Sequence, residues 1–229
     1  MAASSSNSSL DSSGTSSGDS LWQWSAARLR DETASARPTP GGGSIAMVSA
    51  SLGLGLIIMA LEITLAKRAD SVGAEALRAD LKQCRALLTQ LSSHVDADMA
   101  AFSAYMAALG LPKATDDEKS LRRTAMGRAL MGATQAPLDA GRDCVTALEL
   151  GFKLLPEIDA RVVSDVGAGA ALLAGALQAV LLNVDINLPG LKDDEIRSQF
   201  SRQRQGLAGR AESLGRQLAE QVGRALRAE

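Results

Sequence analysis

Apolar positions in this chain follow two patterns: runs with no charged residue to mark an outer face, and stripes that recur every three or four positions. From Ser44 to Ala66 the first charge is Glu62, and Val166 to Val184 is a second uncharged run of 19 residues. Each run predicts a long helix covered on most of its circumference. Both are long enough to raise the question of a membrane span. Against a span, the runs are diluted with Ser49, Ser51, Gly53 and Gly55 in the first and Gly167, Gly169 and Gly175 in the second, and no aromatic belt flanks either. Buried core helices are the better reading, and small residues such as Gly53, Ala170 and Ala174 let their backbones approach closely.

Between the runs the stripes are amphipathic. Residues 70–91 carry Leu77, Leu81, Leu87 and Leu88, and residues 93–109 carry Val95, Met99, Phe102, Met106 and Leu109, which predicts two further helices stopped by Pro112. Thr115 with Glu118 three residues on reads as a capping box opening a long helix towards Leu155, with Pro137 inside it. Ser164-Asp165 stands where it can cap the second uncharged helix, and Pro189-Gly190 ends it. From Lys192 the chain is an amphipathic helix with seven Arg and one Lys against six carboxylates. Upstream, Leu21, Trp22, Trp24, Ala27 and Leu29 predict a first short helix before Pro38. The sum is an all-α fold, a helical bundle with long buried helices, expected to be dimeric because the two uncharged helices offer more apolar surface than one small bundle covers.

Composition narrows this further. Hydrophobic residues make up 46% of the 229 positions but aromatic ones only 3%, which argues against a sheet protein. The net charge of −2 gives no basis for nucleic-acid binding. Two cysteines and one histidine exclude a disulfide framework and a Cys/His zinc cluster, so no metal site is expected and a reducing, cytoplasmic setting fits. Ten of the first twenty residues are serine, so residues 1–20 read as a disordered tail and 21–229 as the helical domain. The tail lacks the basic and apolar regions of a secretory signal and the arginines of a transit peptide.

Chemistry is sought where polar groups interrupt apolar helices, since burying them is costly without a partner. The string Pro38-Thr39-Pro40-Gly41-Gly42-Gly43-Ser44 precedes the first uncharged helix, with Ser44 placed to cap it. Such a glycine turn either offers free helix-terminal amides to an anion or carbonyl oxygen, or is only a tight turn. Asp98 borders the stripe of Val95, Met99 and Phe102, one turn after His94, and reads as either a proton shuttle or a half-exposed helix carboxylate. His94 reads as a packing or capping residue. Asn183 and Asn187 share one face at the end of the second uncharged helix, which suits an amide-rich heterocycle, although Asn187 can also serve as a C-terminal cap. No Walker motif, nucleophile elbow or Rossmann glycine pattern is present.

Taken together and in order, the Pro38–Ser44 string, Asp98 with Phe102 and Leu111-Pro112-Lys113, Arg122-Arg123, Ser164-Asp165-Val166 and Asn183-Val184-Asp185-Ile186-Asn187-Leu188 resemble the cyclodeaminase/cyclohydrolase family. That family comprises the C-terminal domain of formiminotransferase-cyclodeaminase and the bacterial methenyltetrahydrofolate cyclohydrolases. The resemblance implies an all-helical homodimeric enzyme of one-carbon metabolism that takes a tetrahydrofolate derivative as substrate, with no tightly bound cofactor. It implies Asp98 as acid/base. Pro40, Gly41, Gly42, Gly43 and Ser44 would help form the folate pocket, with Asp165, Asn183 and Asn187 lining it and Lys113 facing the folate's glutamate carboxylates. Between hydrolysis of 5,10-methenyltetrahydrofolate and ammonia release from 5-formiminotetrahydrofolate, the lack of a formiminotransferase domain on this chain favours hydrolysis. A catalytically silent helical dimerisation module is the alternative of a different class.

Overall fold

The computed structural model describes residues 20–68 and 72–227. Six α-helices and no strand are found among them: α1 (Ala26–Thr33), α2 (Gly42–Lys67), α3 (Ala74–Leu109), α4 (Asp116–Leu154), α5 (Val163–Asn187) and α6 (Asp194–Ala225), with 3₁₀ turns at Leu21–Gln23, Leu155–Glu157, Ala160–Val162 and Leu188–Gly190. The Ser-rich segment falls outside the described residues apart from Ser20, whose hydroxyl accepts from the Trp22 amide and caps the first 3₁₀ turn.

The two uncharged runs are α2 and α5, and they pack against each other at the centre of the bundle. Glycine decides how close they come. A Cβ on Gly53 would stand 2.7 Å from the Gly169 carbonyl oxygen, and one on Gly169 would stand 2.4 Å from that of Gly53. The two backbones are therefore in direct contact, and the core grows outward from there through Leu54, Ile57, Leu61, Leu173 and Leu177, all fully buried. Both helices are long and apolar enough to cross a membrane by length and composition. The bundle buries most of the apolar stretch of α2 and less than half of that of α5.

Three boundaries differ from the expectation. The segments 70–91 and 93–109 are parts of one helix, because Leu91-Ser92-Ser93-His94 contains no breaker and the buried stripe Leu77, Cys84, Leu91, Val95 runs through it. Ser44 does not cap α2; Gly41 is the N-cap residue and offers no side chain. Ser164-Asp165 does not cap α5 either, since that helix starts at Val163 and Asp159 caps the 3₁₀ turn before it. The Thr115 capping box is present, with Glu118 N–H donating to Thr115 Oγ1 at 3.2 Å and Thr115 N–H donating to Glu118 Oε2 at 3.0 Å.

The chain before α1 is strapped onto α3. Leu21 is buried, its amide donates to Asp96 Oδ1 at 3.3 Å, and the Trp22 indole donates to the Ser92 carbonyl at 3.0 Å. Residues 34–41 then carry the chain from α1 to the start of α2. Cys84 and Cys144 are buried free thiols, pushed up by burial to about 11 and about 12.

If the Gly53–Gly169 approach sets the spacing of the bundle, Gly169→Ala will lower stability by about 1–3 kcal/mol, because the methyl meets backbone that cannot rotate away. Chemical denaturation followed by circular dichroism measures this. A midpoint equal to wild type would contradict the close-contact geometry.

Candidate functional site

The start of α2, the middle of α3, the middle of α4 and the end of α5 enclose a cavity of about 440 Å³. Its walls include Thr39, Gly41, Gly43, Asp98, Phe102 and Asn183. Asp98 is half-buried. Its Oδ2 accepts a hydrogen bond of 2.8 Å from the hydroxyl of Ser44, a residue with no exposed surface. The other oxygen, Oδ1, receives only a long 3.4 Å contact from Asn183 Nδ2. One carboxylate oxygen of this cavity-lining residue is thus anchored, and the other has only that long contact among the described residues.

Gly43 makes this arrangement possible. A Cβ there would lie 2.2 Å from both Asp98 Oδ1 and Asn183 Nδ2, so only a glycine lets the helix terminus meet the carboxylate and the amide at once. The first-turn amides of α2 have no intrahelical partner and no side-chain cap. They and the positive end of the helix dipole favour the negative charge of Asp98 and any oxygen acceptor beside it.

Asn187 has a structural task at this wall. Pro137 sits inside α4 without an amide proton, so the carbonyl four residues earlier, that of Ala133, has lost its helical donor. Asn187 Nδ2 supplies one across the helix boundary at 2.9 Å. Ala133, Pro137 and Asn187 all line the cavity, so the repair holds the end of α5 against α4 there. Asn187 therefore bridges two helices and does not cap its own.

Of the other residues picked from the sequence, Pro40 is buried in the turn between Thr39 and Gly41, whose neighbours form the wall, and the Thr39–Pro40 peptide is cis. Lys113 is not in this cavity but lines an adjoining one. Asp165 is not brought to the site at all. It lies in the first turn of α5, 18 residues before Asn183, which is about 27 Å along a helix. His94 is nearly enclosed and its Nε2 lies 2.7 Å from Asp143 Oδ2, joining α3 to α4. Tyr105, Ala133, Ala136 and Pro137 are walls to which no sequence motif pointed. Tyr105 follows Asp98 by seven residues, with Phe102 between, a helical spacing that puts all three on one face.

With the geometry in hand, comparison with known proteins is decisive on kinship. The family model for formiminotransferase-cyclodeaminase matches residues 25–206. The chain belongs to this family. It is 34% identical to a methenyltetrahydrofolate cyclohydrolase of Methylorubrum extorquens over 193 residues, covering 84% of this chain and 92% of that protein. It is 32% identical to the formimidoyltransferase-cyclodeaminases of Gallus gallus and Rattus norvegicus, covering 71% and 70% of this chain but only 30% of either relative. Among solved structures, a formiminotetrahydrofolate cyclodeaminase from Thermotoga maritima shares the fold, with a TM-score of 0.76 over 91% of this chain and 98% of that one, at 22% identity.

The Asn187–Ala133 bridge yields a testable coupling. Asn187→Ala should cost about 0.5–1.5 kcal/mol by leaving a part-buried carbonyl without its donor. In a Pro137→Ala background the helical amide is restored, and the same substitution should cost markedly less. A double-mutant cycle in urea measures the difference; equal costs in both backgrounds would remove the proposed repair.

Proposed function

We propose that this protein hydrolyses 5,10-methenyltetrahydrofolate to 10-formyltetrahydrofolate, with Asp98 as the proton shuttle. The observation that carries the reading is the carboxylate of Asp98, anchored through one oxygen by buried Ser44 and facing a cavity through the other, in a chain kin to a cyclohydrolase over most of both lengths. Anchoring matters because a shuttle must present the same oxygen to two different atoms in succession.

The substrate's bridging carbon belongs to an amidinium cation. Asp98, as carboxylate, stabilises that cation and accepts a proton from water as the water oxygen bonds to the carbon. A neutral tetrahedral adduct and a protonated Asp98 result. Asp98 then returns the proton to N5, the carbon–N5 bond breaks, and loss of the hydroxyl proton to solvent gives the N10-formyl group. Every step uses water, the substrate and one side chain. The pterin's amide edge is complementary to what the rest of the pocket offers: free α2 amides, and the side-chain carbonyls of Asn183 and Asn187.

The kinship with cyclodeaminases keeps ammonia release from 5-formiminotetrahydrofolate as the second reading, in which N10 attacks internally and Asp98 assists the departing amine. The working unit is a homodimer. Leu52, Met59 and Ile63 on α2 and Leu172 and Leu182 on α5 are exposed on the two helices that pack together, and α2 exposes its apolar residues at helical spacing. An apolar face of this kind marks an interface, and a second copy presents the complementary surface by symmetry. The two buried, unpaired thiols suit the reducing cytoplasm.

Asp98→Asn should keep the fold and lower turnover of methenyltetrahydrofolate by about 10²–10⁴-fold, read as loss of its near-ultraviolet absorbance. Wild-type turnover in that variant would remove Asp98 from the mechanism, and ammonia release outpacing methenyl hydrolysis in the wild type would establish the second reading. Light scattering should report twice 23.7 kDa for the wild type. Met59→Arg should shift it towards the monomer, and a wild-type monomer would refute the dimer.

A further inference from the structure

Two asparagines one turn apart, Asn183 and Asn187, line the cavity from the last turns of α5. An amide side chain can turn either end to a ligand, so the end it shows depends on what holds it. Here both are held by acceptors. Asn187 Nδ2 donates to the Ala133 carbonyl at 2.9 Å, and Asn183 Nδ2 lies 3.4 Å from Asp98 Oδ1. A flip of either amide would set oxygen against oxygen. The nitrogens are therefore turned to protein and the oxygens to open space: neither Asn183 Oδ1 nor Asn187 Oδ1 accepts a hydrogen bond from a described residue, and neither is a buried orphan.

The hold on Asn187 originates in Pro137. Any other residue there would donate its own amide to Ala133, satisfy that carbonyl and leave the asparagine free to rotate. Proline has no proton to give, so the carbonyl depends on Asn187. Rotation of that side chain would strip a part-buried acceptor of its donor, and this cost keeps Asn187 Oδ1 available to a ligand. Pro137 is itself a wall of the cavity, but its effect on recognition passes through Asn187. The charge of the cavity agrees with an acceptor wall: Asp98 is the ionised side chain among its walls, and no Lys, Arg or His is among them.

We infer that Pro137 is a positioning residue that determines specificity: by locking the Asn187 amide it makes the α5 end of the pocket an acceptor wall, which selects ring edges bearing two N–H donors. The inference rests on the folate reading and deepens it. In a tetrahydropterin, N8–H and the 2-amino group flank N1 on one edge, a donor pair whose span is comparable with one helical turn. An oxidised pterin carries no hydrogen on N8 and brings a lone pair there instead. An acceptor with a fixed orientation cannot turn away from such a ring, so a missing donor costs more than the lost contact alone. Without the lock, the amide would rotate to suit either edge.

The lock is tested without any ligand. In ¹H–¹⁵N spectra of the full-length protein the Asn187 side-chain NH2, identified by its loss in Asn187→Ala, should exchange slowly with solvent, and at least about tenfold faster in Pro137→Ala. Equal exchange in the two proteins would overturn the lock. Recognition is read by calorimetry with 5-formyltetrahydrofolate and two analogues, one with CH2 in place of N8–H and one with hydrogen in place of the 2-amino group. Wild type should bind each analogue about tenfold more weakly than the parent. In Pro137→Ala the penalty for the analogue whose missing donor served Asn187 should fall to about twofold, with circular dichroism unchanged. Equal affinities for all three ligands in the wild type, or penalties that all survive in Pro137→Ala, would refute the inference. If 5-formyltetrahydrofolate itself does not bind, the folate reading fails, while the exchange measurement still decides the lock.

Discussion

The contact between two backbones at Gly53 and Gly169 is the constraint from which the rest follows. Because no side chain separates α2 from α5 there, their relative register is set at the centre of the bundle. The helices run in opposite directions, so the same contact brings the start of α2 to the end of α5. Gly43 then meets Asn183, and α3 delivers Asp98 into the angle between them. Spacing in the core thereby becomes spacing at the carboxylate, ten residues from the crossing on one helix and fourteen on the other.

Much of this was legible in the residues before any coordinates. The uncharged runs gave α2 and α5, Thr115 and Glu118 gave the start of α4, and Pro189-Gly190 the end of α5, because each rests on local chemistry that tertiary structure has no reason to override. The joining of 70–91 to 93–109 was not seen, since the stripe shifts by one position near Leu91 and two half-stripes look like two helices. Ser44 was read as a cap from its place after glycines. It lies instead in the first turn, and its hydroxyl goes to Asp98, 54 residues away, a contact that no local rule can anticipate. Asp165 failed for the opposite reason: it opens the same helix that Asn183 closes, and a straight helix keeps its two ends apart.

Pro137 and Asn187 show how a defect becomes a fixture. A proline inside a helix strips a carbonyl of its donor, and a neighbouring chain is needed to repair it. Here the repairing amide arrives from the wall opposite, so the local fault in α4 and the end of α5 are mutually dependent at the cavity. Neither residue explains the other until both are placed. This is why Asn187 could be read only as a cap or a ligand from its position before Leu188-Pro189.

The strap formed by Leu21 and Trp22 has a bearing on the mouth of the cavity. Its attachment points, Ser92 and Asp96, lie on α3 within two turns of Asp98, while the far end of the connecting loop is the first turn of α2. Residues 34–41 border the cavity through Pro38, Thr39 and Gly41 and run directly into α2, while α1 supplies eight of the 19 residues between Trp22 and Gly42. Length changes in that loop would alter which molecules gain admission long before they disturb the bundle behind it, making this short connection the place where a lineage could retune its substrate while keeping the carboxylate untouched.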